Sequence, residues 1–259
     1  IEKRTFLFAY AEREFSPTPA DWYVVHDADS TIEHATDLRP WLHTLTGDAI
    51  ECLVIEHGEK FGGAHRRRFI RSLSRQVRYL RRTLKQSRDG LPRLQALIAL
   101  NYATLCMQGQ SGYLRGNARK LIVELRAQIL PDGGHVSRNP GTLIELLADL
   151  LPLRQLFSTR NLQPPQAVNN AIDRMMPMLR FFRHADGNFA QFNGMGPTPV
   201  DLLATVLAYD DARGMPVSNA PHSGYQRVDA SGVVLLMDTG RPPPVALSQE
   251  AHAGCLSFE

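Results

Sequence analysis

Pro131-Asp-Gly-Gly-His-Val-Ser-Arg-Asn-Pro140 separates two stretches of helical periodicity, Asn117–Leu130 and Gly141–Phe157. Pro131, Gly133 and Gly134 forbid one continuous helix, and Pro-Asp-Gly is a turn with a known mechanism. The fold is therefore built from helices that reverse direction at short punctuated links. The link also carries His135, Ser137, Arg138 and Asn139. A simple reversal does not need that many polar groups, so the residues leave two readings open, a polar turn or part of a ligand cleft.

The same periodicity extends in both directions. Trp41, Leu42, Leu45, Ile50, Leu53, Val54 and Phe61 are spaced for one or two amphipathic helices, closed near Gly62-Gly63. A long helix follows over Ala64–Ser87, with Phe69, Leu73, Val77, Leu80 and Leu84 on one face at steps of three and four. Leu94–Gln108 is apolar nearly all round, as in a helix enclosed on several sides. Further helices are expected over Thr142–Phe157, Gln166–Arg183 and Pro199–Arg213, with Pro177 as a kink. A second polar loop, His184–Asn193, joins the last two, and Phe189 and Phe192 should tuck it onto the core. The helices recur in pairs, with no fixed period.

Near Gly214 the period changes. Met215–Ser223 reads as a linker. Tyr225–Asp229 and Val233–Asp238 read as paired strands around the turn Ala230-Ser231-Gly232, and Ala251–Phe258 as a third strand. Helices first and strands second imply two segregated layers or domains. The expected division is an unreadable segment 1–37, a helical domain 38–213, a linker 214–223 and the start of a sheet domain 224–259.

Size and composition set the outer limits. A chain of 259 residues that is 43% hydrophobic can bury a substantial core. Cys52, Cys106 and Cys255 are odd in number and far apart, which excludes a disulfide framework or a cysteine zinc site. No apolar run is long enough for a membrane span. The chain opens on Ile1-Glu2-Lys3-Arg4 without the layout of a secretory signal and stops inside an apparent strand, Leu256-Ser-Phe-Glu259. The expectation is a fragment, with periplasmic and cytoplasmic locations both open.

Net charge is only +3, but it is unevenly placed. Arg66 to Arg88 contains ten Arg or Lys and no acid. Arg67, Arg71, Arg75, Arg78 and Arg82 form one helical stripe. It reads either as a solvated face or as a track for a polyanion, with planar guanidinium groups suited to carboxylate or sulfate. No nucleic-acid motif accompanies it, so no nucleic acid is expected as a partner. His135 and Arg138 can neutralise a carboxylate or move a proton. They can also serve structure, with His135 donating to a carbonyl and Arg138 pairing with a nearby acid such as Glu145. Glu250 and His252 would share one face of a strand, too few donors for a zinc site by themselves.

Four segments in order resemble the heparinase II/III family of polysaccharide lyases: Pro131–Pro140, Arg183-His-Ala-Asp-Gly-Asn188, Pro221-His-Ser-Gly-Tyr-Gln-Arg227 and Ala251-His-Ala-Gly-Cys-Leu-Ser-Phe258. The resemblance implies a mainly α chain, an incomplete α/α toroid of antiparallel helix pairs followed by the first strands of an antiparallel β-sandwich. It implies β-elimination on an acidic, uronate-containing polysaccharide, in which the uronate carboxylate is neutralised and a Tyr or His removes the adjacent proton. The family loop commonly reads Asp-Gly-Gly-His-x-Glu-Arg-Ser-Pro-x-Tyr-His. Asp132, Gly133, Gly134, His135, Arg138 and Pro140 match it, whereas Ser137, Asn139, Thr142 and Leu143 depart from it. Thr142 occupies the tyrosine position, and a threonine hydroxyl is too weak an acid to replace a phenol.

The catalytic candidates are therefore His135, Arg138 and Tyr225. The substrate-binding candidates are Arg71, Arg75, Arg78, Asn139, His184 and Asn188. No cofactor is fixed by the residues; the resemblance implies zinc at the position of His252 in some members. Two alternatives to a lyase stay open, a non-catalytic acidic-glycan-binding protein on the same scaffold and a helical interaction scaffold with a basic face.

Overall fold

The computed structural model describes residues 63–210, 216–248, 251–252 and 256–259. The helices expected before Gly62 and the segment 1–37 lie outside the described residues. By contacts the chain divides into two compact units, Ile1–Arg88 with Pro92–Arg119, and Asp89–Leu91 with Lys120–Glu259. The division falls inside a helix, and the sheet shares a unit with the helices before it. The expected boundary near Gly214 is not where contacts separate the chain.

The first unit holds α1 (Gly63–Thr83), followed by a 3-10 turn, and α2 (Leu91–Cys106) apart from its first residue. Leu73, Val77, Leu80 and Leu84 are all buried, as their spacing requires. Arg71, Arg75, Arg78 and Arg82 on the other side are exposed. Arg81 is the exception among the described arginines of this helix. It donates to Gln110 at 2.7 Å, and its guanidinium lies 3.6 Å from the centre of the Tyr113 ring. Helix α2 is buried along its length from Leu94 to Leu105, matching its all-round apolar sequence.

Helix α3 (Leu114–Gln128) crosses into the second unit, which also contains α4 (Pro140–Thr159), α5 (Gln166–Phe181) and α6 (Val200–Leu207). Helix α4 packs on both α5 and α6. Pro140 starts α4 where its missing N–H costs nothing, and Asn139 caps it by accepting from Gly141 N at 2.8 Å.

The sheet is antiparallel in the order β1 (Asn219–Ala220), β2 (Tyr225–Ala230), β3 (Val233–Asp238). Strand β1 falls inside the expected linker. Ser231 and Gly232 both have positive φ, 51° and 81°, the backbone of a two-residue hairpin whose twist matches its strands. Register pairs Tyr225 with Asp238 and Arg227 with Leu236, so these four share the inner face. The terminal residues continue the ladder: Leu236 N donates to Glu259 O at 2.8 Å, and Glu259 N to Leu236 O at 2.9 Å.

The two polar loops share one hydrogen-bond design. In the first, Leu130 N donates to Gly134 O, Gly133 N to Leu130 O and Val136 N to Gln128 O. The second repeats this with His184 N to Asn188 O, Gly187 N to His184 O and Ala190 N to Phe182 O. Asp132 Oδ1 accepts from Gly134 N, as Asp186 Oδ1 does from Asn188 N. Gly133 and Gly187 hold φ of 94° and 91°, a region that favours glycine. A Cβ on Gly133 would also collide with the Arg174 carbonyl. An internal repeat therefore exists where the sequence showed no period, because two residues, Asp and Gly, carry most of it.

Candidate functional site

The three catalytic candidates are brought together in the second unit, inside a buried polar network. His135 is 2% exposed. Its Nδ1 accepts the Ser137 backbone N–H at 3.1 Å and lies 2.7 Å from Ser137 Oγ. A nitrogen that accepts an N–H carries no proton, so the proton is on Nε2, which donates to Gln128 Oε1 at 3.0 Å. The imidazole's one lone pair is thus committed to Ser137. Burial also drives its pKa from 6.5 to about 3. The expected partner, a neighbouring carbonyl, is instead the Gln128 side chain.

Arg138 is buried too, with φ of 62°. Nε donates to Ser223 O at 2.8 Å, Nη1 to Arg241 O at 2.7 Å and Nη2 to Gly224 O at 3.3 Å. Nη2 also forms an ion pair with Asp238, which is 1% exposed. Glu145, the expected acid partner, is not the one that pairs; Asp238 at the end of β3 is. Four hydrogen bonds tie the fork to the backbone and carboxylate of the sheet segment, which holds the loop and sheet together.

Tyr225 completes the network. Its hydroxyl donates to Arg138 O at 2.5 Å and accepts from Asn193 Nδ2 at 2.6 Å. Burial is the largest cause that raises its pKa. The ring packs edge-on against Phe182 at 4.9 Å and lies 5.3 Å from Phe192. The phenol hydroxyl is thus hydrogen-bonded on both sides inside the fold.

Two more attachments flank this centre. Asp132 Oδ2 accepts from Ser223 N at 2.6 Å and Oγ at 2.9 Å, which anchors the first turn to the strand entry. Arg227 caps the end of α5, donating to the carbonyls of Phe181 and Arg183 at 2.7 and 2.8 Å. Sequence reasoning singled out none of Asp132, Asn193, Ser223, Arg227 or Asp238 as a partner. The available signal was Asp238 itself, a charge on the inward register of an apolar strand, which demands a buried cation.

The substrate-binding candidates separate. Arg71, Arg75 and Arg78 are exposed on α1 in the first unit. Asn139 is spent as a helix cap. His184 lies 3.5 Å from Glu259, and exposed Asn188 donates to Asp186 at 2.7 Å. His252 Nε2 is 3.5 Å from Asp238 Oδ2, with its ring edge towards Phe192. Among the described residues no three His, Cys, Asp or Glu are placed to hold a metal. Asp238, which His252 faces, is already engaged by Arg138, Asn193 and Gly240. Glu250 and Gly254 lie outside the described residues. No helix among the described residues is long and apolar enough to cross a membrane.

The solved structure of heparinase III superposes with a TM-score of 0.64 at 12% identity, covering 92% of this chain and 44% of that one. Residues 212–259 match the family model described as heparinase II/III-like, C-terminal. The chain's last segment is heparinase II/III-like in sequence, and its fold is that of heparinase III. The heparinase II/III-like fold accounts for the order of helices and then antiparallel sheet. "FtsZ-localized protein C" of Caulobacter vibrioides is 35% identical over 189 residues, 72% of this chain. The chain spans about a third of that relative, 32%, and under half of heparinase III.

Proposed function

We propose that this chain is a non-catalytic binding protein on a polysaccharide-lyase fold, and that an acidic glycan is held along α1. The observation that carries the reading is the commitment of all three catalytic candidates to internal partners. His135 has no free lone pair, Tyr225 keeps its proton and Arg138 is buried and bonded to the sheet segment. Lysis by β-elimination needs a base facing the substrate, and none of the three faces outward.

The glycan part of the reading rests on Arg71, Arg75 and Arg78. All three are exposed on one helix, and with a rise of about 1.5 Å per residue they recur every ~4.5–6 Å along it. Spaced guanidinium groups suit a polymer carrying carboxylate or sulfate. The test is titration of the chain with heparin, alginate and neutral dextran at several salt concentrations, with ultraviolet absorbance followed for unsaturated product. Expected are salt-sensitive binding to the acidic polymers, no absorbance rise, and loss of most affinity in Arg71→Gln/Arg75→Gln/Arg78→Gln. An absorbance rise with any uronate polymer, or equal affinity for dextran, overturns the reading. Affinity for DNA equal to that for the glycans at matched salt would also count against it.

A second reading is favoured by the 35% identical relative, whose name ties that protein to FtsZ. A helical scaffold whose basic face meets a protein would need none of the catalytic groups either. Co-sedimentation of the chain with FtsZ polymers, with and without heparin as competitor, separates the two readings.

A further inference from the structure

The second polar loop holds a carboxylate, and that carboxylate belongs to the chain itself. Gln191 N–H lies 2.9 Å from both Oε1 and Oε2 of Glu259. His184 Nε2 lies 3.5 Å from Oε2, and this enclosed nitrogen has no hydrogen-bond partner. One donor, the main-chain amide fixed by the turn, and an imidazole on the same turn therefore face one anionic group.

Holding the terminal strand does not require this contact. Glu259 is already fixed through its backbone, paired with Leu236 by two hydrogen bonds. Nor does the loop's own acid fill the notch. Asp186 takes its donors from Asn188, whose backbone N–H is the largest cause lowering its pKa; His184 contributes less. The Glu259 side chain is 34% exposed, so it does not seal the notch from solvent.

We propose that His184 and the Gln191 amide form a carboxylate-binding subsite, with Glu259 as its resident ligand, and that the carboxylate of a uronic acid can replace Glu259 there. The class of acid rests on the glycan reading above; the donors themselves do not depend on α1. A tethered side chain competes at an effective concentration on the order of millimolar. Removing its charge should therefore make the subsite accessible to a free acid about tenfold more readily.

The experiment uses the 259-residue chain, free glucuronate as probe and the 1H–15N signal of Gln191 as readout. In Glu259→Ala, glucuronate should shift that signal saturably, and glucose should not. Glu259→Gln, which keeps the side chain's size, should behave alike. The unsubstituted chain should need about tenfold more glucuronate. Adding His184→Leu to Glu259→Ala should weaken binding at least threefold. An unmoved Gln191 signal in both Glu259 variants, with the Leu236 and Phe189 signals in their native positions, overturns the proposal. So does an equal response to glucose, or no effect of His184→Leu. Polymer binding along α1 is scored separately by the triple arginine variant, so either result can fail without the other.

Discussion

Arg138→Met removes the group on which the helix loop and the sheet converge. In the native chain its guanidinium serves three carbonyls and Asp238. After the change, Asp238 retains Asn193 Nδ2 at 3.1 Å, Gly240 N at 3.0 Å and His252 at 3.5 Å, but stays 1% exposed without its arginine. Breaking one side of a buried pair costs about 3–5 kcal/mol. Of the three carbonyls, buried Ser223 O loses its partner and adds to this loss, while the other two add little. Gly224 O still accepts from Thr239, and Arg241 is exposed to water. A loss of about 4 kcal/mol is a large share of a stability of roughly 5–15 kcal/mol. It lowers Tm by about 10 °C for a chain of this size. Circular dichroism melting of the single variant and of Arg138→Met/Asp238→Leu gives the measurement. The double variant should recover at least about 2 kcal/mol, since an apolar pair of similar volume replaces an ion pair at little cost. If the single variant melts within about 3 °C of the parent, or the double variant falls further still, Arg138 is not the internal tie described here. Its guanidinium would then have to be counted as available to ligand.

Two further outcomes follow from the same network. His135 is held neutral in the fold, with a pKa of about 3 against 6.5 when unfolded, so the unfolded chain binds the extra proton first. Stability is then full above pH 6.5 and declines as pH falls towards 3; the loss is about 2 kcal/mol at pH 5. Urea denaturation between pH 8 and 4.5 measures it, and His135→Gln should flatten the curve. Tyr225→Phe leaves Asn193 Nδ2 and Arg138 O each short of a partner in a buried site. It should cost about 1–3 kcal/mol in the same assay, with no change in glycan affinity.

Helices with a strong period were legible from their residues. Leu73, Val77, Leu80 and Leu84 identify the buried face of α1 because spacing alone determines which side chains align. Strand β3 was legible at both ends, and the turn Ser231-Gly232 explains why, since it permits the backbone a tight hairpin requires. The density of polar groups in Pro131–Pro140 was visible as well, but its meaning was not. Polarity reads alike whether groups face a ligand or one another, and only burial separates the cases. Arg138 illustrates the limit. Its acid lies a hundred positions downstream, across three helices and two strands, where no local pattern points. Asn139 shows the reverse: a helix cap beside a proline at the first helical position was readable, yet it was assigned to ligand.

The repeated Asp-Gly turn means that the helical part carries two copies of one socket, each closed by its own backbone bonds. Each is tied to the sheet segment at a different point, by Ser223 on the turn's own Asp132 in one and by Glu259 on the Gln191 amide in the other. A socket that forms without its tie can exchange it. Change at these joints can therefore proceed by swapping the tying side chain, while the helices beneath stay as they are.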